Sequence, residues 1–151
     1  MRKWVALAVF VVASFAAAAI GGLGVAGTAQ EYQNLVQPDW APPSWLFGPV
    51  WTVLYVLIAL SGWLVWLRAG WGPPLVAYAI QLVLNAAWTP LFFGAGAYTL
   101  ALVDIIAMWL AIGVTVVLFW RVSRLAAVLL LPYWAWVTFA TALNAAIESL
   151  N

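Results

Sequence analysis

The chain contains neither cysteine nor histidine. That removes disulfides, zinc sites, haem ligation by thiolate or imidazole, and Ser-His or Cys-His nucleophilic chemistry. Charge is almost as scarce: five basic and four acidic residues among 151, for a net charge of +1. With no basic patch, nucleic acid is not an expected partner. A soluble domain carries about a quarter charged residues, whereas here the fraction is 6% and 68% of residues are hydrophobic. Several apolar runs of about 20 residues identify an all-α membrane protein with more than one span.

What is abundant is tryptophan, 12 residues, and it is concentrated with proline in one stretch. Residues 37–55 hold four prolines (Pro38, Pro42, Pro43, Pro49) and three tryptophans (Trp40, Trp45, Trp51). Proline fixes φ and removes N–H donors, so this backbone is stiff and is not an ordinary helix before about Trp45. The expectation is a rigid aromatic cap at a membrane surface, leading into a helix.

Five spans are expected, at 4–24, 46–67, 74–93, 98–120 and 125–147, in a single domain over 1–151, with a loop at 25–45. Arg2 and Lys3 before the first run also fit a secretory signal, but the run is long enough to span and reads as a retained helix. Ala13, Ala17 and Gly21 give that helix a small-residue stripe for close packing. Pro90 and Pro132 fall inside the third and fifth spans, where each is expected to bend the helix. All five Lys and Arg residues fall on one side of this topology, and Glu31, Asp39 and Glu148 on the other. The positive-inside bias then places the N-terminus in the cytoplasm and the C-terminus outside, in a bacterial inner membrane.

Three helical stripes carry candidate chemistry. They are Phe47, Trp51 and Tyr55 on the second span; Gln81, Asn85, Trp88 and Phe92 on the third; and Tyr133, Trp136, Ala140 and Asn144 on the fifth. Amides at bilayer depth need partners inside the bundle. One reading is a cavity walled by indoles and fitted with a few amides, suited to a large flat apolar ligand. The other is that the amides join helices and the tryptophans anchor at the interfaces, as Trp4, Trp63, Trp66, Trp71 and Trp120 near span ends do. Asp104, an acidic residue well inside a span, is either functional or a hydrogen-bonded structural group.

Five blocks, in order along the chain, are Pro38-x-Trp40-x-Pro42-Pro43-x-Trp45, Gly48-Pro49-Val50-Trp51-Thr52-x-Leu54-Tyr55, Gln81-Leu82-x-Leu84-Asn85-x-x-Trp88-x-Pro90-Leu91-Phe92-Phe93, Ala101-Leu102-Val103-Asp104 and Pro132-Tyr133-x-x-Trp136-Val137-x-Phe139-Ala140-Thr141-x-Leu143-Asn144. Together they resemble the TspO/MBR family. The resemblance implies a homodimeric bundle of five transmembrane helices that binds porphyrins such as protoporphyrin, and also isoquinoline carboxamide or benzodiazepine-type drugs. It implies a pocket lined by Trp51, Tyr55, Asn85, Trp88, Trp136 and Ala140, with Tyr32, Trp40, Pro42 and Pro43 in a lid. No cofactor or metal is required, and membrane lipid and the tetrapyrrole are the implied partners. If the protein is an enzyme, the resemblance points to light- and oxygen-dependent porphyrin breakdown with Trp51 and Trp136 as the reacting tryptophans; transport is a further alternative. Two departures bear on this. Glu31 stands where an aromatic residue is common, which makes the lid less apolar. Leu143-Asn144 is followed by Ala145-Ala146-Ile147-Glu148, without the Tyr and Arg of a proposed sterol motif, so no tight cholesterol site is expected there.

Overall fold

Helix formation follows directly from the apolar runs, since a backbone in hydrocarbon must satisfy its own N–H and C=O groups. The structure, a computed structural model, describes residues 2–25, 35–94 and 97–150. Among the described residues there is no strand, and five helices are long and apolar enough to cross a membrane. They are α1 (Arg2–Val25), α2 (Phe47–Ala69), α3 (Pro73–Thr89), α4 (Tyr98–Val122) and α5 (Arg124–Leu150). The longest, α5, has 27 residues, about 40 Å at the helical rise and more than the thickness of a hydrocarbon core.

The helix boundaries have local causes. A turn closed by Ala41 N–H donating to Pro38 O (3.0 Å) and a 3₁₀ turn, Ser44–Leu46, carry the proline-rich stretch into α2. Gly70 ends α2 with φ 64°, and its N–H donates to Trp66 O at 2.9 Å. A left-handed residue at this position is cheap only for glycine. Pro73 and Pro74 then open α3 in its first turn, where missing N–H groups leave nothing unsatisfied. One residue, Ser123, separates α4 from α5; its backbone is extended, and its Oγ accepts from Ala126 N–H at 3.3 Å. That hydroxyl is the N-cap of α5.

The two interior prolines behave differently. Pro90 ends α3 as an α-helix, and a π-helical turn, Pro90–Gly94, follows in place of a bent continuation to residue 93. Proline at 90 leaves the carbonyl of Ala86 without its helical donor, and widening the turn is one way the chain accommodates the lost bond. Pro132, by contrast, lies within an unbroken α5.

The helices close into a ring. α1 packs on α2 and α3, α3 on α4, α4 on α5, and α5 on α2. α2 and α3, adjacent in sequence, make little backbone contact with each other. Their side chains meet across the interior instead. α1 contributes a narrow face of Ala6, Phe10, Ser14 and Ala17, spaced at helical intervals. Of the small-residue stripe expected there, Ala17 is buried, while the side-chain surroundings of position 21 lie outside the described residues. Phe10 stands edge-on to Tyr78 at 5.8 Å, and Phe15 lies 6.2 Å from Tyr55. The first helix is therefore part of the core.

All five basic residues lie at one end of the bundle. Trp63 Nε1 donates to Lys3 O at 2.8 Å and its ring stacks on Trp4 at 5.9 Å. Arg68 Nη1 reaches Val122 O at 3.5 Å, beside Arg121 and Arg124. At the opposite end, Thr99 Oγ1 donates to Glu148 Oε1 at 3.3 Å.

Candidate functional site

The three aromatic stripes converge in the half of the bundle away from the basic end. α2 presents Trp51 and Tyr55 inward because they are four residues apart on one face; α3 does the same with Gln81, Asn85 and Trp88. Trp51 is the meeting point. Its ring lies 5.6 Å from Tyr55, 6.3 Å from Trp88 and 6.2 Å from Tyr133, so α2, α3 and α5 share one aromatic cluster.

The amides within it are joined to one another. Tyr55 Oη donates to Asn85 Oδ1 at 2.6 Å, Asn85 Nδ2 donates to Tyr133 Oη at 2.9 Å, and Tyr133 Oη donates to Gln81 Oε1 at 2.6 Å. Further toward the acidic end, Trp88 Nε1 donates to Asn144 Oδ1 at 3.0 Å, and Asn144 Nδ2 to Tyr98 O at 3.0 Å. Asn85, Trp88, Tyr133 and Asn144 are all buried. Asn85 and Asn144 thus tie helices together through satisfied bonds, the role open to any buried amide in a bundle. Tyr133 joins two of these bonds, and the sequence stripe contained it without marking it as central.

A second aromatic chain, packed on the same core, runs out to the surface. Phe47 is edge-on to Trp136 at 5.9 Å, Trp136 is 5.3 Å from Phe139, and Phe139 is 5.6 Å from Trp40. The proline-rich loop therefore rests on α5 through Trp40. Within that loop Pro42 is buried while Pro43 and about half of Trp40 are exposed. Ala140 is buried one turn beyond Trp136. Tyr32, the remaining residue assigned to the lid, lies outside the described residues, as does Glu31. Phe92, against Trp88 at 5.1 Å and Tyr98 at 5.1 Å, extends the wall toward the π-helical turn.

Two hydrogen-bond donors in this region have no acceptor among the described residues: Trp136 Nε1 and Gln81 Nε2, both buried. In a low-dielectric interior an unmade bond of this kind costs about 1–3 kcal/mol, so each is a place where a ligand's acceptor atom would be favoured. Asp104 is separate from them in character. It is half-buried on α4, and its Oδ2 is buried with no donor among the described residues.

This combination of ring, cluster and loop is accompanied by a family match. The family model described as TspO/MBR matches residues 8–150. The chain belongs to the TspO/MBR family. Among its relatives, the tryptophan-rich protein TspO of Chlorobaculum tepidum is 44% identical over 80% of this chain and 78% of its own length. The human translocator protein is 45% identical over 75% of this chain and 70% of its own. The tryptophan-rich sensory protein of Cereibacter sphaeroides is 42% identical over 80% and 76%, respectively. Family membership and the five apolar helices agree that this is a multi-pass membrane protein.

Proposed function

We propose that this member of the TspO/MBR family is a sensory or regulatory membrane protein that binds a flat tetrapyrrole such as protoporphyrin. The ligand would lie against Trp51, Tyr55, Trp88 and Trp136, with Ala140 giving room beside the indoles and Asn85 fixing Tyr55 from behind. Trp40, Pro42 and Pro43 would cover it. The observation that carries this reading is the meeting of Tyr55, Trp88 and Tyr133 around Trp51, together with an orphan donor, Trp136 Nε1, in the ring chain on which the proline-rich loop rests. An indole N–H without an acceptor suits a guest that brings carboxylates or ring nitrogens along with a broad π-face. With neither His nor Cys in the chain, the iron of a haem would gain no imidazole or thiolate, so a metal-free ring held by stacking is the better fit. A relative named a tryptophan-rich sensory protein supports the sensory or regulatory part of this reading.

Burying one macrocycle against several indoles corresponds to micromolar affinity, about −8 kcal/mol. The test is a titration of the detergent-purified protein with protoporphyrin in the dark, following the porphyrin absorbance band. Saturable binding is expected in the wild type, weakened about tenfold, or roughly 1.4 kcal/mol, in a folded Trp51→Ala, Trp136→Ala variant. Equal binding by both proteins would refute the site. Illuminating the same samples in air tests breakdown of the ring: bleaching that depends on Trp51 or Trp136 would make the protein an enzyme.

A further inference from the structure

The basic end of the bundle holds a recess that the tetrapyrrole reading does not use. It is about 600 Å³ in volume and sits where the α4–α5 junction meets the last turn of α2. Arg68, Arg121 and Arg124 line it, together with Trp120 and the capping Ser123. The contacts of its guanidiniums within the protein are weak. Arg68 Nη1 is 3.5 Å from Val122 O, and Arg124 lies over the Trp120 ring at 5.2 Å.

No acidic residue described in the structure is positioned to neutralise these charges. Glu148 is engaged by Thr99 at the start of α4, the far end of the bundle. Asp104 precedes Arg121 by 17 residues on the same helix, about 25 Å along its axis. Asp39 belongs to the loop whose Trp40 rests on Phe139, again at the far end. Among the described residues, three cations therefore line one recess without a counter-charge, at the end of the apolar helices. A guanidinium is planar and weakly hydrated, and its fork matches the oxygens of a phosphate group.

The surroundings identify which phosphate compound fits. Trp120 is 49% exposed and Leu125 60% exposed at the rim. One turn further into the span, Val117 on α4 and Val128 on α5 are also exposed and apolar. The surface is thus cationic at the end of the helices and continuously apolar just below. A soluble anion would use only the first part. We infer that the recess is a headgroup site for an anionic phospholipid, with the phosphate among Arg68, Arg121 and Arg124 and the acyl chains along the outer faces of α4 and α5.

Native mass spectrometry of the full chain in neutral detergent, with dioleoyl phosphatidylglycerol or dioleoyl phosphatidylcholine added, tests this. Phosphatidylglycerol is expected to be retained in preference to phosphatidylcholine. An Arg121→Gln, Arg124→Gln variant is expected to lose affinity for phosphatidylglycerol by about tenfold or more, and for phosphatidylcholine, whose choline cation offsets its phosphate, by much less. An Arg2→Gln, Lys3→Gln variant removes two charges from the same end but outside the recess, and is expected to keep the preference. Should both variants lose it equally, general charge attraction would explain the binding and the site would be overturned. Displacement of the lipid by millimolar glycerol phosphate would show a soluble anion site and overturn the lipid assignment. An Arg121→Lys, Arg124→Lys variant, which keeps the charge, guards against misfolding of the glutamine variant. It is expected to lose part of the preference, and wild-type retention in it would overturn the guanidinium–phosphate geometry.

Discussion

Tyr133 holds more of the interior together than any other single side chain in the aromatic cluster. Its hydroxyl accepts from Asn85 on α3 and donates to Gln81 on the same helix, while its ring meets Trp51 of α2. Removing that oxygen leaves the Asn85 amide hydrogen and the Gln81 carbonyl unpaired in a dry interior. Tyr55 at the near end of the chain has one such bond, to Asn85 Oδ1. Tyr133→Phe is therefore expected to destabilise the protein by about 1–2 kcal/mol, and Tyr55→Phe by less. Thermal or denaturant unfolding in detergent measures both. A Tyr133→Phe cost no larger than that of Tyr55→Phe would show that the network has no hub. The members of this network were legible in the sequence, since amides and tyrosines at helical spacing in apolar spans must find one another. Their pairing was not. Spacing places Gln81 and Asn85 on one face but leaves open whether they meet a ligand or Tyr133, because that depends on which helices are neighbours in the ring. For Trp136 and Gln81 the stripes gave the position, while the unpaired state of their donors depends on every acceptor around them.

At the level of the helix, close approach is set by what a side chain would displace. A Cβ on Gly62 of α2 would stand 2.7 Å from Tyr78 Cζ and 2.9 Å from Phe10. Tyr78 cannot easily yield, because its hydroxyl donates to Ile58 O at 2.9 Å. Phe10 is itself edge-on to Tyr78. Gly62 is thus the contact that lets α1, α2 and α3 meet, and Gly62→Ala is expected to cost about 1–3 kcal/mol by overpacking. Gly113, whose nearest neighbour would be Trp134 Cζ2 at 3.0 Å, is expected to lose less on the same substitution. A neutral Gly62→Ala in an unfolding measurement would mean that this crossing is loose. Apolar length announced all five helices, but Gly62 did not stand out among the glycines, since its role comes from a partner on α1 and another on α3. Proline was informative in a similar, partial way. Pro73 and Pro74 marked a helix start, and Pro90 marked a disturbance whose form, a π-helical turn ending the α-helix at Thr89, depended on the packing of that turn against α1 and α4.

For the whole molecule, ring closure turns a linear charge pattern into a polar axis. The contacts of Trp63 with Lys3 and of Arg68 with Val122 bring the basic residues at the N-terminus, the end of α2 and the α4–α5 junction together at one end. The other end carries Asp39 and Glu148 with the proline-rich loop. Translocation of Lys and Arg is disfavoured, and a division of five against none fixes the expected direction of insertion: basic end in the cytoplasm, aromatic loop outside. The absence of cysteine makes this simple to measure, because each introduced thiol is the sole one in the chain. Asp39 and Ala69 are both exposed, one on each end. In spheroplasts of a bacterial host, a membrane-impermeant maleimide is expected to label Asp39→Cys directly, and Ala69→Cys only after permeabilisation. The reverse pattern would invert the topology. It would also turn the proposed tetrapyrrole site toward the cytoplasm, so the direction of labelling decides which compartment the aromatic loop samples.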